Sequence, residues 1–415
     1  MPVEIISVGS DYIIQRYQHT GVAVIANLLL ESGIEIDSVS SVIGQESRLE
    51  EVLRQAIERS TLIFVIGNVG SGEYDVAKKL LTRILQKRLV LNYKVLDALK
   101  KQFEAQGEVF PRTEEKRALV PNQAEILESD QGIVPGFLFS EENRHVVLLP
   151  GDETDIEFML KTHILPRLDP KTFRLGAASG VILRSCGLSL AQIKDRLRHL
   201  EREDRQQSLS YVSDGEEISI IVSVRGDLQQ EVETRLTALE LQIQKRLGNV
   251  LYGRGSQTLE EVVGRLLTEK KQTLALAESC TGGLIANLLT NVPGSSDYFD
   301  RGVVSYSNGA KISLLDVSPN IIEQHGAVSA ETAIAMAEGV RWVAQTSYGL
   351  AVTGIAGPSG GTPTKPVGLV YLALACDRAE TQWKRCQFSG DRLLIKKRTA
   401  QTALEMLRHH LLIDN

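Results

Sequence analysis

The chain has 415 residues, and a prior of roughly 150 per domain predicts about three domains. Its 43% hydrophobic and 24% charged residues match folded globular proteins and exclude disorder, collagen-like repeats and a coiled-coil rod. A net charge of −6 provides no field to draw in nucleic acid or membrane, and 5% aromatic content argues against a base-stacking platform. Cys186, Cys280, Cys376 and Cys386 form no CxxC or Cys/His cluster, which fits a reducing compartment and gives no zinc signature.

Met1 opens onto VEIISVG without a basic n-region or cleavage site, so no signal peptide is expected. An uncharged tract, Val343 to Thr364, is too dense in glycine and proline for a spanning helix. A soluble cytoplasmic protein is expected.

In chain order, VEIISV (3–8) and TLIFVI (61–66) are apolar runs ending at Gly9 and Gly67. Residues 20–32 and 47–59 carry helical spacing, so the rhythm predicts parallel βαβ units buried on both faces. HVVLLPG (145–151) adds a strand, and Gly9, Gly67 and Gly151 are expected to converge on one cleft at the strands' carboxyl ends. This first domain is expected over 1–170. Residues 171–254 predict a small α+β domain, in which FRLGAASGVILRS and EISIIVSVRG each precede a charged helix. Residues 255–415 predict a second α/β domain. Its elements are helix QTLEEVVGRLLTEKK, strand QTLALAES, helix 282–291, strand VVSYS, helix 329–345, strands YGLAVTG and PVGLVYLALA, and a closing helix over 391–412.

Four segments of the third domain carry chemistry. AESCTGG (277–283) joins a strand to a helix, as a Ser/Thr cap or as a glycine turn whose N–H groups favour an anion. PGSSDYFDRGVVSYSNGAK (293–311) places Ser296 in a turn, Tyr306 on a strand and Lys311 beyond. Amide hydrolysis needs a nucleophile, a base, oxyanion donors and an acid for the leaving amine. A lysine is that base only where burial or a cationic neighbour depresses its pKa; otherwise Ser296 is a turn residue and Lys311 a surface one. VTGIAGPSGGTPTKPVG (352–368) lacks the Walker order, so it is a long hairpin connection or a cradle presenting N–H groups and Lys365 to an anion. FSGDR (388–392) is an Asp-capped helix start with an exposed Arg392, or a phosphate or carboxylate clamp.

AESCTGG, PGSS, SYSN-x-AK, QHGAVS, TGIAGP-x-GG-T-x-x-KPVG and FSGDR follow in this order and together resemble the C-terminal domain of the CinA family. That is the nicotinamide-nucleotide amidohydrolase, or NMN deamidase, domain. The resemblance implies hydrolysis of the NMN carboxamide to nicotinate mononucleotide and ammonia in pyridine-nucleotide recycling, without metal or organic cofactor. It implies Ser296 as nucleophile and Lys311 as base, with Tyr306 orienting the lysine or ligand. Ser279 and Thr353 are implied near the reacting group, as supporting or oxyanion donors, and Ser279 is the alternative nucleophile. Substrate contacts are expected from Thr281, Gly282, Gly283, Gly354, Gly357, Gly360 and Lys365, and the 5′-phosphate from Arg392.

The first domain resembles the family's molybdopterin-binding-type α/β domain, linked there to ADP-ribose hydrolysis with a divalent metal. Its motifs are altered. GTEL reads GSDY and leaves Asp11; GGLGPT-x-DD reads GNVGSGEYD, with Tyr74 for the first aspartate and Asp75 retained; PGVPSEM reads PGDETDI, which shifts carboxylates to Asp152, Glu153 and Asp155. A catalytically silent domain is expected, with Asp11 and Asp75 as its remaining metal-ligand candidates and residual ADP-ribose pyrophosphatase as the alternative. The middle domain resembles the family's KH-like domain; lacking a GXXG loop, it is expected to link or oligomerise rather than bind RNA. Expected partners are NMN and a second copy of the chain, with neither nucleic acid nor membrane. A non-catalytic scaffold or regulatory CinA-like protein is the competing reading.

Overall fold

The computed structural model describes residues 2–413 apart from 10–19, 33, 35, 43–44, 68–71, 106, 130–133, 142–143, 169–176, 201–205, 227 and 378. These residues fall into two compact units, 1–180 with 223–236, and 181–222 with 237–415.

The first unit opens with β1 (Val3–Val8), α1 (Thr20–Glu31), β2 (Ser38–Val42), α2 (Glu46–Arg59), β3 (Leu62–Gly67) and α3 (Glu73–Ile84). Then come β4 (Leu89–Leu91), α4 (Tyr93–Ala105), β5 (Leu119–Pro121), β6 (Glu125–Leu127), β7 (Gly136–Glu141), β8 (Arg144–Pro150) and α5 (Glu153–Met159). The main sheet runs β2-β1-β3-β8-β7-β6, parallel from β2 to β8 and antiparallel beyond. Every residue of β1 and β3 is buried, because successive side chains enter clusters on opposite faces. Ile6 and Ile63 join Leu53 and Leu80, whereas Ile5 and Phe64 join Ile25 and Ile156. The register aligns Val8 with Gly67 and Gly67 with Pro150, so the glycine-bearing ends are adjacent.

The middle sheet runs β10-β11-β9-β12, from β9 (Ala177–Cys186), β10 (Gln207–Asp214), β11 (Glu217–Gly226) and β12 (Leu251–Arg254). Its helices are α6 (Leu190–Leu197) and α7 (Gln229–Leu247). The alternating burial of β11 matches its alternating sequence, while β10 and β12 are additions to the expected elements.

The C-terminal region holds α8 (Leu259–Lys270), β13 (Leu274–Glu278), α9 (Leu284–Thr290), β14 (Phe299–Val304), α10 (Asn308–Leu315) and α11 (Pro319–His325). It continues with α12 (Ala330–Ala344), β15 (Tyr348–Gly354), β16 (Leu369–Cys376), β17 (Gln382–Gln387) and α13 (Arg392–Ile413). Its sheet runs β14-β13-β15-β16-β17, with the first three strands parallel and the last two antiparallel. Leucine and alanine alternate along these strands and divide the faces. Leu276, Leu350 and Leu372 pack with α8 and α13 residues such as Leu267 and Leu404. Ala277, Ala351 and Ala373 receive Met336 and Val340 of α12. The alanine face admits α12 so closely that a β-carbon on Gly349 would stand 2.1 Å from the Ala337 carbonyl oxygen. One expectation needs correction. β14 ends at Val304, so Tyr306 lies beyond the strand and not on it. Among the described residues, no helix is long and apolar enough to cross a membrane.

Gly349→Ala should therefore destabilise this domain by about 1–3 kcal/mol through overpacking. Both tryptophans of the chain, Trp342 and Trp383, lie in this region, so urea unfolding followed by their fluorescence should show the lowered midpoint.

Candidate active site

The parallel strands β14, β13 and β15 release their chains at the same edge, where a cavity of about 180 Å³ opens. β13 delivers Ser279 and Cys280 to it, and β15 delivers Thr353 and Gly354. The Ser279 amide donates to the Val352 carbonyl (3.1 Å), which holds the serine against the neighbouring strand end. Ser305 extends the β13–β14 pairing by donating its amide to the Glu278 carbonyl (2.8 Å), after which the chain turns into α10. Ser307 caps that helix by accepting from the Ala310 amide (3.1 Å). Lys311 then reaches back under the strand ends.

Lys311 is 1% exposed. Its Nζ donates to Ser279 Oγ (3.1 Å) and to the Ser305 carbonyl (2.8 Å). Burial holds its pKa below the ordinary lysine value, since a desolvated ammonium loses its hydration. Lysine in this state can serve as a base. The expected Ser296–Lys311 pair does not form. Ser296 is exposed in the short turn Ser295–Asp297 and does not line the cavity. The parallel register, which sets Glu278 opposite Val304, instead brings Ser279 beside the Ser305 carbonyl that holds the lysine.

The turn after Ser279 is not an open anion site. The Glu278 carboxylate, 1% exposed, accepts from the amides of Gly283 (2.9 Å), Ile285 (3.2 Å) and Ala286 (2.8 Å). The chain's own anion thus occupies the start of α9. Thr281, Gly282 and Gly283, expected to touch substrate, lie outside the cavity lining. Cys280 lines it, but burial pushes its thiol up to about 12, so the group stays protonated beside Ser279 at neutral pH.

The opposite wall comes from QHGAVS, quoted in the sequence without a role. Ala327 and Val328 line the cavity, and two side chains hold them in place. Thr353 Oγ1 donates to the Ala327 carbonyl (2.7 Å), so its hydroxyl proton is committed to the wall. Lys365 Nζ donates to the carbonyls of His325 (2.7 Å) and Val328 (2.8 Å). Lys365 is therefore a clamp on this segment and not a cavity-lining ligand group. Gly326 suits the contact: its φ is +79°, and a β-carbon would stand 2.9 Å from that ammonium.

Arg392, at the start of α13, lines the cavity and bridges two segments. It donates to the Gly357 carbonyl (2.7 Å) and to the Tyr306 hydroxyl (2.9 Å). Asp391 caps the helix by accepting from the Leu394 amide (2.8 Å), so FSGDR forms the expected Asp-capped helix start. Of the loop glycines, Gly354 lines the cavity and Gly357 acts through its carbonyl, while Gly360 is exposed and lines nothing. Sequence reasoning missed Glu278, Ser305, Ala327 and Val328. An acidic residue just before a glycine turn and helix was the available signal for Glu278.

In the first unit, Asp11 lies outside the described residues. Tyr74, standing for an aspartate, is 1% exposed and donates its hydroxyl to the Pro135 carbonyl. Asp75 pairs with the ammonium groups of Lys78 (3.1 Å) and Lys116 (3.6 Å). Asp152 caps α5, accepting from the amides of Thr154 (3.0 Å) and Asp155 (3.2 Å), and Asp155 accepts from Ser129. Among the described residues no group of three or more His, Cys, Asp or Glu could hold a metal ion. A carboxylate neutralised by two lysines does not fit a divalent cation.

Comparison with known proteins gives three family matches. The CinA C-terminal domain matches residues 256–411, the "probable molybdopterin binding domain" residues 4–170, and the damage-inducible protein CinA KH domain residues 182–253. A CinA-like protein of Dictyoglomus thermophilum is 37% identical over 413 residues, spanning 99% of this chain and 100% of the relative. One from Kosmotoga olearia is 35% identical over 413 residues, covering 99% of each. The crystal structure of competence/damage inducible protein CihA from Agrobacterium tumefaciens is 40% identical and covers 38% of this chain and 97% of that one, at a TM-score of 0.36.

Lys365→Met removes two hydrogen bonds to backbone carbonyls of the cavity wall, each worth about 1.5–3 kcal/mol when the donor is charged. Hydrogen–deuterium exchange of the 325–328 segment should accelerate in this variant while exchange in β13 and β15 stays slow.

Proposed function

The chain belongs to the CinA family, and from that premise we propose that it is a nicotinamide-nucleotide amidohydrolase in which Ser279 is the nucleophile and Lys311 its base. The observation that carries this reading is the buried Lys311 amine 3.1 Å from Ser279 Oγ. A serine hydroxyl is a weak nucleophile until a neighbouring base takes its proton, and a lysine can do so only as a neutral amine. Burial at the strand ends, with two neutral oxygens as its partners, favours that form.

Neutral Lys311 keeps one N–H on the Ser305 carbonyl and turns its lone pair to Ser279. Ser279 Oγ attacks the carboxamide carbon as Lys311 takes the hydroxyl proton. The tetrahedral intermediate collapses when the lysine ammonium returns that proton to the departing nitrogen, which releases ammonia and leaves a nicotinoyl ester on Ser279. Water, deprotonated by the same amine, then cleaves the ester to the carboxylate and restores the serine. The net change is amide plus water to carboxylic acid plus ammonia, with no metal or organic cofactor.

NMN is the substrate this reading favours. The cavity, at about 180 Å³, is smaller than the roughly 300–1,000 Å³ of sites that enclose a whole small molecule. It suits the reacting pyridine carboxamide, leaving the ribose phosphate to extend past Arg392. Tyr306, held by Arg392, borders the path between the two ends.

Ser279→Ala and Lys311→Met should each lower NMN deamidation by at least about 10²–10⁴-fold. The double variant should be no worse than either, because the two residues act as one unit. Ser296→Ala should remain within about two-fold of the parent; a large loss there with activity kept in Ser279→Ala would return the role to Ser296. Because the base works deprotonated, kcat/KM should rise with pH through a midpoint below the ordinary lysine value, and Lys311→Met should lack that limb.

The same reading assigns the first domain no hydrolase activity, given the pairing of Asp75 with Lys78 and Lys116. The full chain should release no AMP from ADP-ribose above background with magnesium or manganese, and EDTA should leave deamidation intact. Robust metal-dependent release of AMP would overturn it.

A further inference from the structure

Folded proteins rarely bury a hydroxyl without a hydrogen-bond partner, because the group gives up its water and gains nothing in exchange. Among the described residues two fully buried hydroxyls are in this position, Thr281 Oγ1 and Ser305 Oγ. Thr281 lies in the turn after Ser279. Ser305 lies against the base itself, since its carbonyl accepts from Lys311 Nζ (2.8 Å).

Strand register explains where the Ser305 hydroxyl stands. Ala277 pairs with Val303, and both pack on the alanine face with α12. Side chains alternate along a strand, so Ser279 and Ser305, each two residues further on, return to that face. The bond from the Ser305 amide to the Glu278 carbonyl (2.8 Å) keeps the two chains paired up to this point. Lys311 Nζ, bonded to Ser279 Oγ (3.1 Å) and to the Ser305 carbonyl, therefore sits at a pair of adjacent serines. Ser279 lines the cavity and Ser305 does not, so the second serine backs the amine from the protein side.

We propose that Ser305 is a positioning residue for Lys311, its hydroxyl accepting the third N–H of the lysine ammonium that forms during the reaction. This rests on the amidohydrolase reading and deepens it by giving the transient ammonium a partner. The neutral amine has two N–H groups and a lone pair; once it takes the Ser279 proton it has three N–H groups. One stays on the Ser305 carbonyl, and one is the proton delivered to the departing nitrogen. The third needs an acceptor where Glu278 is tied to three amides and Cys280 keeps its proton. Tyr306 and Arg392, the other titratable groups lining the cavity, are bonded to each other. Rotation of χ1 between staggered positions swings Ser305 Oγ, on the residue whose carbonyl already holds the amine, toward that N–H. A hydrogen bond to an ion is stronger than one between neutral groups, so the hydroxyl idle at rest acts when the charge appears.

The test uses the full chain with Ser305→Ala and with Ser305→Thr, which keeps the hydroxyl. Ser305→Ala removes a group with no partner at rest, so it leaves the fold intact. On the high-pH plateau it should lower kcat for NMN by about ten-fold, the worth of one hydrogen bond to a charged group, with KM unchanged. Its pH limb should move down by about one pH unit, because an ammonium that has lost an acceptor gives up its proton more readily. Ser305→Thr should restore most of both. In the absence of substrate, Lys311 is titrated by NMR on protein carrying isotope-labelled lysine, its signal identified by its loss in Lys311→Met. Ser305→Ala should lower that pKa in parallel. A pH limb and a lysine titration both unmoved in Ser305→Ala, or a loss of kcat that Ser305→Thr fails to restore, would overturn the proposal. A parent that deamidates no NMN, but whose Lys311 pKa falls in Ser305→Ala, would sink the amidohydrolase reading and leave the hydrogen bond standing.

Discussion

A lysine amine buried at the carboxyl edge of a parallel sheet, with no carboxylate paired to it among the described residues, is the constraint on which the C-terminal domain turns. A buried ammonium without a counter-ion is costly, and its pKa falls until neutralisation relieves the cost. Lys311 is placed in this situation by three features at once: the cap at Ser307, the Ser305 carbonyl, and the Ser279 hydroxyl. The buried carboxylate next to Ser279 in the chain, Glu278, is instead held by three amides of the following turn. Were that carboxylate free to pair with the lysine, the ammonium would be stabilised and the downward shift of its pKa opposed.

The first unit shows the contrasting case with the same residue type. Lys78 is also buried, and burial also lowers its pKa, but Asp75 stands 3.1 Å away and opposes the shift. A lysine with a close carboxylate remains an ammonium and acts as structure. The same pair occupies the aspartate that a metal site would need. Tyr74, buried with its hydroxyl on a backbone carbonyl, stands in the place of the first aspartate of the motif.

Helix α13 links the site to the domain's architecture. Its first turn supplies Arg392 to the cavity, while Leu404, Leu407 and Leu411 pack against the leucine face of the sheet. Between these, Gln401 donates to the Asp214 carbonyl (2.9 Å) and to Glu217 (2.8 Å) and accepts from the Glu216 amide (2.7 Å). The helix is therefore anchored along its length, which keeps the position of Arg392 from depending on the exposed loop it touches.

Sequence by itself determined the α/β class, the strongly patterned elements and most residue types at the site. YGLAVTG became β15 with the expected bounds, and EISIIVSVRG became β11, because unbroken or strictly alternating apolar patterns allow one pairing of faces. It did not show β17, whose residues are mostly exposed, or the end of β14 at Val304, since edge strands carry little burial signal. Tertiary structure alone decided which serine meets Lys311. Ser296 lies closer to Lys311 along the chain, but the parallel register of β13 and β14 carries Ser279, 32 residues away, against the amine. It likewise turned Lys365 from a ligand group into a clamp, because two carbonyls of another loop lay within its reach. Local pattern fixes which face a residue takes; strand register, a property of segments distant in sequence, fixes which side chain it meets.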